Sequence, residues 1–169
     1  SRPNPLYKKE YASRITTGNF DDDFEKINDA DWIIEVVVEN LEIKKTIFEK
    51  VEKYKSENAF VTSNTSSIPI SLLCEGRSDS FKSLFCGTHF FNPPRYLRLF
   101  EVIPQTETDP ELVSFLMKFG DIILGKQTVL CKDTPGFIGN RIGVMCGIKS
   151  SQLTAVSYTH LTLPTKRIV

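Results

Sequence analysis

Residues Asp31–Val38 read Asp-Trp-Ile-Ile-Glu-Val-Val-Val, and an amphipathic stretch from Leu41 to Tyr54 follows almost at once. A near-continuous apolar run suits a strand covered on both faces, which is the habit of parallel sheets. In the stretch after it, Leu41, Ile43, Ile47, Phe48, Val51 and Tyr54 fall on or near one stripe, with Lys and Glu elsewhere. That spacing predicts a helix with one apolar face. The pattern then recurs. Ala59–Ser63 reads as a strand, Ile70–Glu75 as a short helix, and Phe85–Phe91 and Leu97–Ile103 as strands. Asp109 and Pro110 open a helix to Phe119 as N-cap and first residue. Thr128–Cys131 is a further strand, Lys132–Gly136 a turn, and a helix starts near Phe137. Strands alternating with helices predict an α/β fold with a mostly parallel sheet.

Composition narrows the partners. Lys plus Arg is 21 and Asp plus Glu is 21, so the net charge is zero. That balance argues against nucleic acid or an anionic membrane as the main partner. No apolar stretch is long enough to span a bilayer, and Ser1-Arg2-Pro3-Asn4-Pro5 is no signal peptide. Cys74, Cys86, Cys131 and Cys146 form no C-x-x-C pair, and no His stands at zinc-ligand spacing from them. They read as reduced, mostly buried thiols, and no metal is expected. The Asp21-Asp22-Asp23 run reads as a solvated helix start. Leu6–Ile15 also has helical spacing.

The chemistry centres on His89, in Gly87-Thr88-His89-Phe90-Phe91-Asn92-Pro93-Pro94, with Glu101 following in the next strand. Two neighbouring strands can join an imidazole to a carboxylate while a Pro-broken loop travels out and back. A His held by a buried carboxylate is the usual form of a general base near neutral pH. The polar knot Asn64-Thr65-Ser66-Ser67 follows a strand's carboxyl end, where open α/β sheets place ligands. Singly, these residues have plainer readings. Ser66 and Ser67 could cap the next helix, Glu39 could belong to the N-cap of the helix at Leu41, Asn92-Pro93-Pro94 could be a turn, and Asn140 could be a helix-surface residue.

As a set they do more. Glu39-Asn40-Leu41, Ser63–Ser67, Gly87–Pro93, Glu101-Val102-Ile103 and Lys132-Asp133-Thr134-Pro135-Gly136-Phe137-Ile138-Gly139-Asn140-Arg141 together resemble the 3-hydroxyacyl-CoA dehydrogenase family, in its order and spacing, from about Asp29 to Ile148. The start, Arg2-Pro3-Asn4-Pro5-Leu6-Tyr7, looks most like large bacterial members fused to an enoyl-CoA hydratase. The resemblance implies a Rossmann-like, doubly wound domain that binds NAD. It also implies oxidation of the 3-hydroxyl of an acyl-CoA to a ketone in fatty-acid β-oxidation, in the bacterial cytoplasm, by a parent that is a homodimer. His89 would take the hydroxyl proton, and Glu101 would orient the imidazole and stabilise the imidazolium. Ser66 and Asn140 would donate hydrogen bonds to the reacting oxygen. Glu39, Lys44, Ser66 and Asn92 would line the nicotinamide-ribose side of the cofactor site.

The sequence departs from the family in what it lacks. It holds no G-x-G-x-x-G loop, the element that lets a pyrophosphate approach the backbone at a helix N-terminus. We therefore expect an internal fragment whose sheet lacks its first βαβ unit. Residues 1–136 would be a partial NAD-binding domain and 137–150 the start of a helix leading to an absent helical domain. Residues 151–169 resemble a translated sequencing-adapter read-through and are set aside as non-native, a native disordered or strand-like tail being the other reading; His160 receives no role. The isolated chain is expected to be inactive. Two other readings stand beside this one: a dehydrogenase for a non-CoA 3-hydroxy acid, and a non-enzymatic relic of the fold.

Overall fold

The computed structural model describes residues 4–156. It divides into two compact units, Ser1–Phe137 and Ile138–Val169. The first is an α/β sheet domain. Its strands are β1 (Trp32–Glu35), β2 (Phe60–Ser63), β3 (Phe85–Phe90), β4 (Leu99–Pro104) and β5 (Gln127–Leu130), and they lie side by side in that order. β1–β2, β2–β3 and β4–β5 pair in parallel, while β3–β4 is antiparallel. The mostly parallel expectation holds, with one reversed pair.

Helices cover both faces, as in a doubly wound sheet. Helix α1 (Leu41–Tyr54) contributes Phe48 and Val51, α2 (Ile70–Leu73) contributes Ile70 and Leu73, and α3 (Asp79–Ser83) contributes Phe81 to one core with Val61, Phe85 and Ile103. Helix α4 (Pro110–Lys118) buries Leu112 and Leu116 on the other face against Cys86, Phe100 and Val102. Alternate residues of each strand feed alternate cores, the period-2 rule applied to a sheet covered twice. The second core holds a polar rung, in which Trp32 Nε1 donates to Thr62 Oγ1 at 2.9 Å and Thr88 Oγ1 bonds Thr62 Oγ1 at 2.7 Å. These hydroxyls, wholly enclosed, satisfy one another.

Several expectations need correction. The strand expected over Asp31–Val38 ends at Glu35, and Val36 and Val38 are exposed. The chain turns there because Val37 N–H bonds back to the Glu35 carboxylate, and Asn40 N–H to Val38 O. In α1 the apolar stripe is broken, with Ile43 exposed and Lys44 buried in its place. The helical spacing of Leu6–Ile15 yields a 3₁₀ turn, Lys9–Arg14, that buries nothing. Helix α4 does not stop cleanly but widens into a π turn over Phe119–Ile123. Gly120 in that turn meets Phe100 and Thr128 so closely that a Cβ would stand 2.4 Å from Thr128 Oγ1. α3 was not foreseen, being too short to show an apolar period.

The second unit is α5 (Gly139–Val156), which runs six residues past the expected boundary at 150. Ile142, Val144, Met145, Ile148 and Leu153 are exposed along it. His160 lies outside the described residues. Among the described residues no helix is long and apolar enough to cross a membrane.

Candidate active site

The antiparallel register puts His89 directly opposite Glu101. Cross-strand neighbours of this kind bring their Cβ atoms to about 5 Å. The His89 Nδ1–H donates to Glu101 Oε2 at 2.6 Å, with the His89 side chain 7% exposed and the carboxylate wholly buried. Nδ1 is thereby committed, and Nε2 is the ring nitrogen able to exchange a proton. Phe91 packs on the imidazole with ring centroids 4.4 Å apart, and Phe137 stands at 5.9 Å. Phe137 reaches it from a tight turn in which Gly136 and Phe137 both have positive φ. Below His89, Gly87 gives its missing side chain's space to Ile70, since a Cβ there would lie 2.6 Å from Ile70 Cδ1.

The polar knot after β2 is tied to its neighbours on both sides. Asn64 Oδ1 accepts from Phe90 N–H at 2.9 Å, so the loop is fixed to the residue after His89. On its other side the loop wraps a carboxylate. Glu39 Oε1 accepts from Thr65 Oγ1 at 2.6 Å, Ser66 N–H at 3.0 Å and Ser67 N–H at 3.1 Å, with both serine hydroxyls near 3.3 and 3.2 Å. Ser66 and Ser67 therefore do not cap α2. The N–H groups of Ile70 and Ser71 are taken instead by Asp133, at 2.6 and 2.9 Å, from 63 and 62 residues away. Glu39 is not a cap either, because Asn40 Oδ1 accepts from Ile43 N–H and caps α1.

Partial burial of Glu39 works against its charge, but the Thr65 hydroxyl, the Ser66 N–H and the Lys44 ammonium outweigh it and hold the carboxyl at about 2. Lys44 is only 1% exposed at its side chain. Its ammonium lies 2.7 Å from Glu35 Oε1, 3.3 Å from Val37 O and 3.4 Å from Glu39 Oε2. This places Lys44 behind Glu39 rather than on the open rim. Sequence reasoning gave no role to Glu35, or to Asp133, which it quoted only within the Lys132–Arg141 motif. A lone acid inside an apolar strand run, followed by a Lys inside the next helix's apolar stripe, was the signal for the first. For the second, the motif marked the residue, but nothing local pointed to its partners at Ile70 and Ser71.

The remaining expected residues fall as follows. Asn92 is exposed, at the head of the loop leaving β3 and before a cis peptide to Pro93. Lys126 pins that loop through Pro94 O and Leu97 O. Asn140 stands in the first turn of α5, in the second unit. Glu39 and the serine hydroxyls form a rim of acceptor and donors at the carboxyl end of β1 and β2, Glu39 more than a third exposed. That chemistry suits a ribose diol and a carboxamide, so the residues present fit the nicotinamide-ribose half of NAD.

Residues 3–134 match the family described as 3-hydroxyacyl-CoA dehydrogenase, NAD binding domain. The chain belongs to this family. It is 56% identical over 142 residues to a probable 3-hydroxyacyl-CoA dehydrogenase of Bacillus subtilis, covering 84% of this chain and 18% of that protein. A putative fatty acid oxidation complex trifunctional enzyme of Rickettsia felis is 45% identical, over 84% of this chain and 20% of its own length. The chain thus spans about a fifth of each of these relatives. Among solved structures, M. tuberculosis FadB2 superposes with a TM-score of 0.75 at 30% identity, covering 82% of this chain and 48% of that one. An NAD-dependent dismutase, 5-formyl-3-hydroxy-2-methylpyridine 4-carboxylic acid 5-dehydrogenase, superposes with 0.73 at 30%, covering 80% and 43%.

Proposed function

We propose that this domain is the NAD-binding and proton-transferring part of a 3-hydroxyacyl-CoA dehydrogenase acting in fatty-acid oxidation. The observation that carries the reading is the buried His89–Glu101 pair. The cofactor supplies a hydride acceptor for carbon 3 of the substrate. His89 Nε2 takes the hydroxyl proton as the carbon–oxygen bond becomes a carbonyl. Glu101 keeps Nδ1 protonated, so the free nitrogen carries the lone pair, and it stabilises the imidazolium that forms. The Ser66 hydroxyl, now resting on Glu39, turns to donate to the reacting oxygen. For Asn140 as second donor, and for Asn92 in the cofactor pocket, the family motif carries the assignment. Glu39 binds the nicotinamide ribose, with Lys44 acting behind it.

The family supports acyl-CoA as substrate. The trifunctional relative supports fusion of the parent to further activities, an enoyl-CoA hydratase among them in our reading, and the bacterial relatives support a cytoplasmic setting. The parent is read as a homodimer. One comparison favours a second reading: the pyridine-carboxylate dehydrogenase shows this fold acting on a substrate whose name carries no CoA.

The test is to graft the 142 matching residues into the Bacillus subtilis relative and assay NADH oxidation with acetoacetyl-CoA and with free acetoacetate. Turnover with the thioester is expected. A folded chimera with no turnover on either substrate overturns the enzymatic reading, and turnover on the free acid alone replaces it with the second. The 169-residue chain by itself, without a glycine loop, is expected to show no turnover in the same assay.

A further inference from the structure

Glu35 belongs to no motif that the family resemblance carries, yet it is one of the most heavily used side chains in the domain. Its side chain is 1% exposed. Oε1 accepts from Val37 N–H at 2.6 Å and from the Lys44 ammonium at 2.7 Å, and Oε2 accepts from Ser63 Oγ at 2.6 Å. Ser63 Oγ in turn accepts from Thr65 N–H at 3.2 Å. Lys44 carries the contact on to Glu39 Oε2, and Glu39 Oε1 gathers the N–H groups of Ser66 and Ser67. A closed ring of contacts therefore joins the ends of β1 and β2 to the loop bearing Ser66. It runs Ser63, Glu35, Lys44, Glu39, and back through Thr65.

An enclosed ammonium keeps its charge only if its partners hold it. Two carboxylates compete for this one, and the nearer is Glu35. The division matters for the outer partner. With Lys44 drawn back to 2.7 Å from Glu35, the 3.4 Å contact leaves Glu39 Oε2 open to a further donor. Were Lys44 free to close on Glu39, its ammonium would compete with any other donor for that oxygen.

We propose that Glu35 is a positioning residue of the cofactor site. It holds Lys44 at a distance from which the cation fixes Glu39 without occupying it, and so keeps Glu39 available to a ribose hydroxyl beside Ser66. The proposal rests on the reading of Glu39 as a ribose-binding residue. Glu35→Gln preserves the size of the side chain and, with its carbonyl toward Val37, keeps that bond and reverses the one to Ser63, while removing the charge that holds Lys44 back from Glu39. Glu35→Met with Lys44→Met removes both charges together, a replacement that buried pairs tolerate.

The test uses the 169-residue chain and nicotinamide riboside, a probe with a ribose and no phosphate, followed by amide NMR with thermal unfolding in parallel. The wild-type chain is expected to bind it with shifts centred on Ser66 and Ser67. Glu35→Gln is expected to bind roughly tenfold more weakly, the worth of one hydrogen bond to a charged group, and to unfold at a lower midpoint while staying folded at the temperature of the titration. The double Met variant is expected to stay folded and weaken by a similar factor. Unchanged affinity in a folded Glu35→Gln chain overturns the proposal while leaving the Glu39 reading standing. No shift at Ser66 and Ser67 in the wild type overturns the Glu39 reading, and the proposal with it. If the double variant fails to fold, the Glu35→Gln result decides alone.

Discussion

Glu101 and Glu39 are acids of one sheet domain kept in opposite conditions. Glu101 is sealed in the core between β3 and β4, with one oxygen on an imidazole that can gain or lose a proton. Glu39 is more than a third open, with one oxygen crowded by five donors and the other facing a fixed ammonium. On the proposed reading the first has a partner whose charge changes during the reaction. The second has partners whose charges do not. A catalytic acid–base pair gains from a neighbour that responds, whereas a binding residue gains from neighbours that hold it still. On that reading the two sets of contacts divide these tasks between two halves of one sheet.

The largest effect should come from breaking the responsive half. In the Bacillus chimera, His89→Gln is expected to lower kcat by roughly 10²–10⁴, the span usual for a lost general base. Stopped-flow NADH oxidation checks this, and near-parental turnover would remove His89 from the chemistry. Next comes the packing that seats it. Gly87→Ala forces a Cβ to 2.6 Å from Ile70 Cδ1 and 3.0 Å from Ile103 Cβ. Overpacking of this kind costs about 1–3 kcal/mol, which urea denaturation of the 169-residue chain would register.

The static half should reveal itself in acid. The folded Glu39 carboxyl sits at about 2 against an ordinary 4.5, so it releases its proton more readily folded than unfolded. Its contribution is complete above about pH 4.5 and is lost as pH falls toward about 2. Glu39→Gln should therefore flatten the fall in urea midpoint between pH 5 and pH 3, by an amount that solvent screening keeps small. An equal slope in both proteins would contradict the contacts drawn around Glu39. The smallest effect concerns thiols. Burial pushes Cys74 up to about 11 and Cys86 to about 12, and Cys131 is buried, while Cys146 is exposed. A thiol-exchange reagent should label Cys146 rapidly and the other three only on unfolding. Fast labelling of more than one thiol would show that the sheet domain opens on its own.

Much of the layout was legible in the sequence because its signals are local. The 3.6 period marked α1 to the residue, and Asp109-Pro110 marked the start of α4. The pairing of His89 with Glu101 could be anticipated because two short strands and one loop suffice to produce it. What escaped was either too short for a period, as with α3, or not local at all. The apolar run to Val38 overshot β1 because hydrophobicity cannot report that Val37 N–H would prefer a side-chain carboxylate to a strand neighbour. Lys44 fell on a buried stripe, and the structure pairs it with the acid at the end of the preceding strand that makes this tolerable.

The Asp133 carboxylate, bonded to the N–H groups of Ile70 and Ser71 across a separation of more than sixty residues, sets an order of assembly. The sheet through β4 can collapse on contacts that precede it in the chain. The segment between Ser66 and Ile70 acquires its final anchor only when the turn after β5 arrives, and the same turn delivers Phe137 to the imidazole. Closing a loop of that length is slow compared with local pairing. During synthesis, then, the sheet can take shape well before the end that carries Ser66 and His89 does. A chain interrupted ahead of residue 133 would keep most of its strands and lose the clasp that finishes the site.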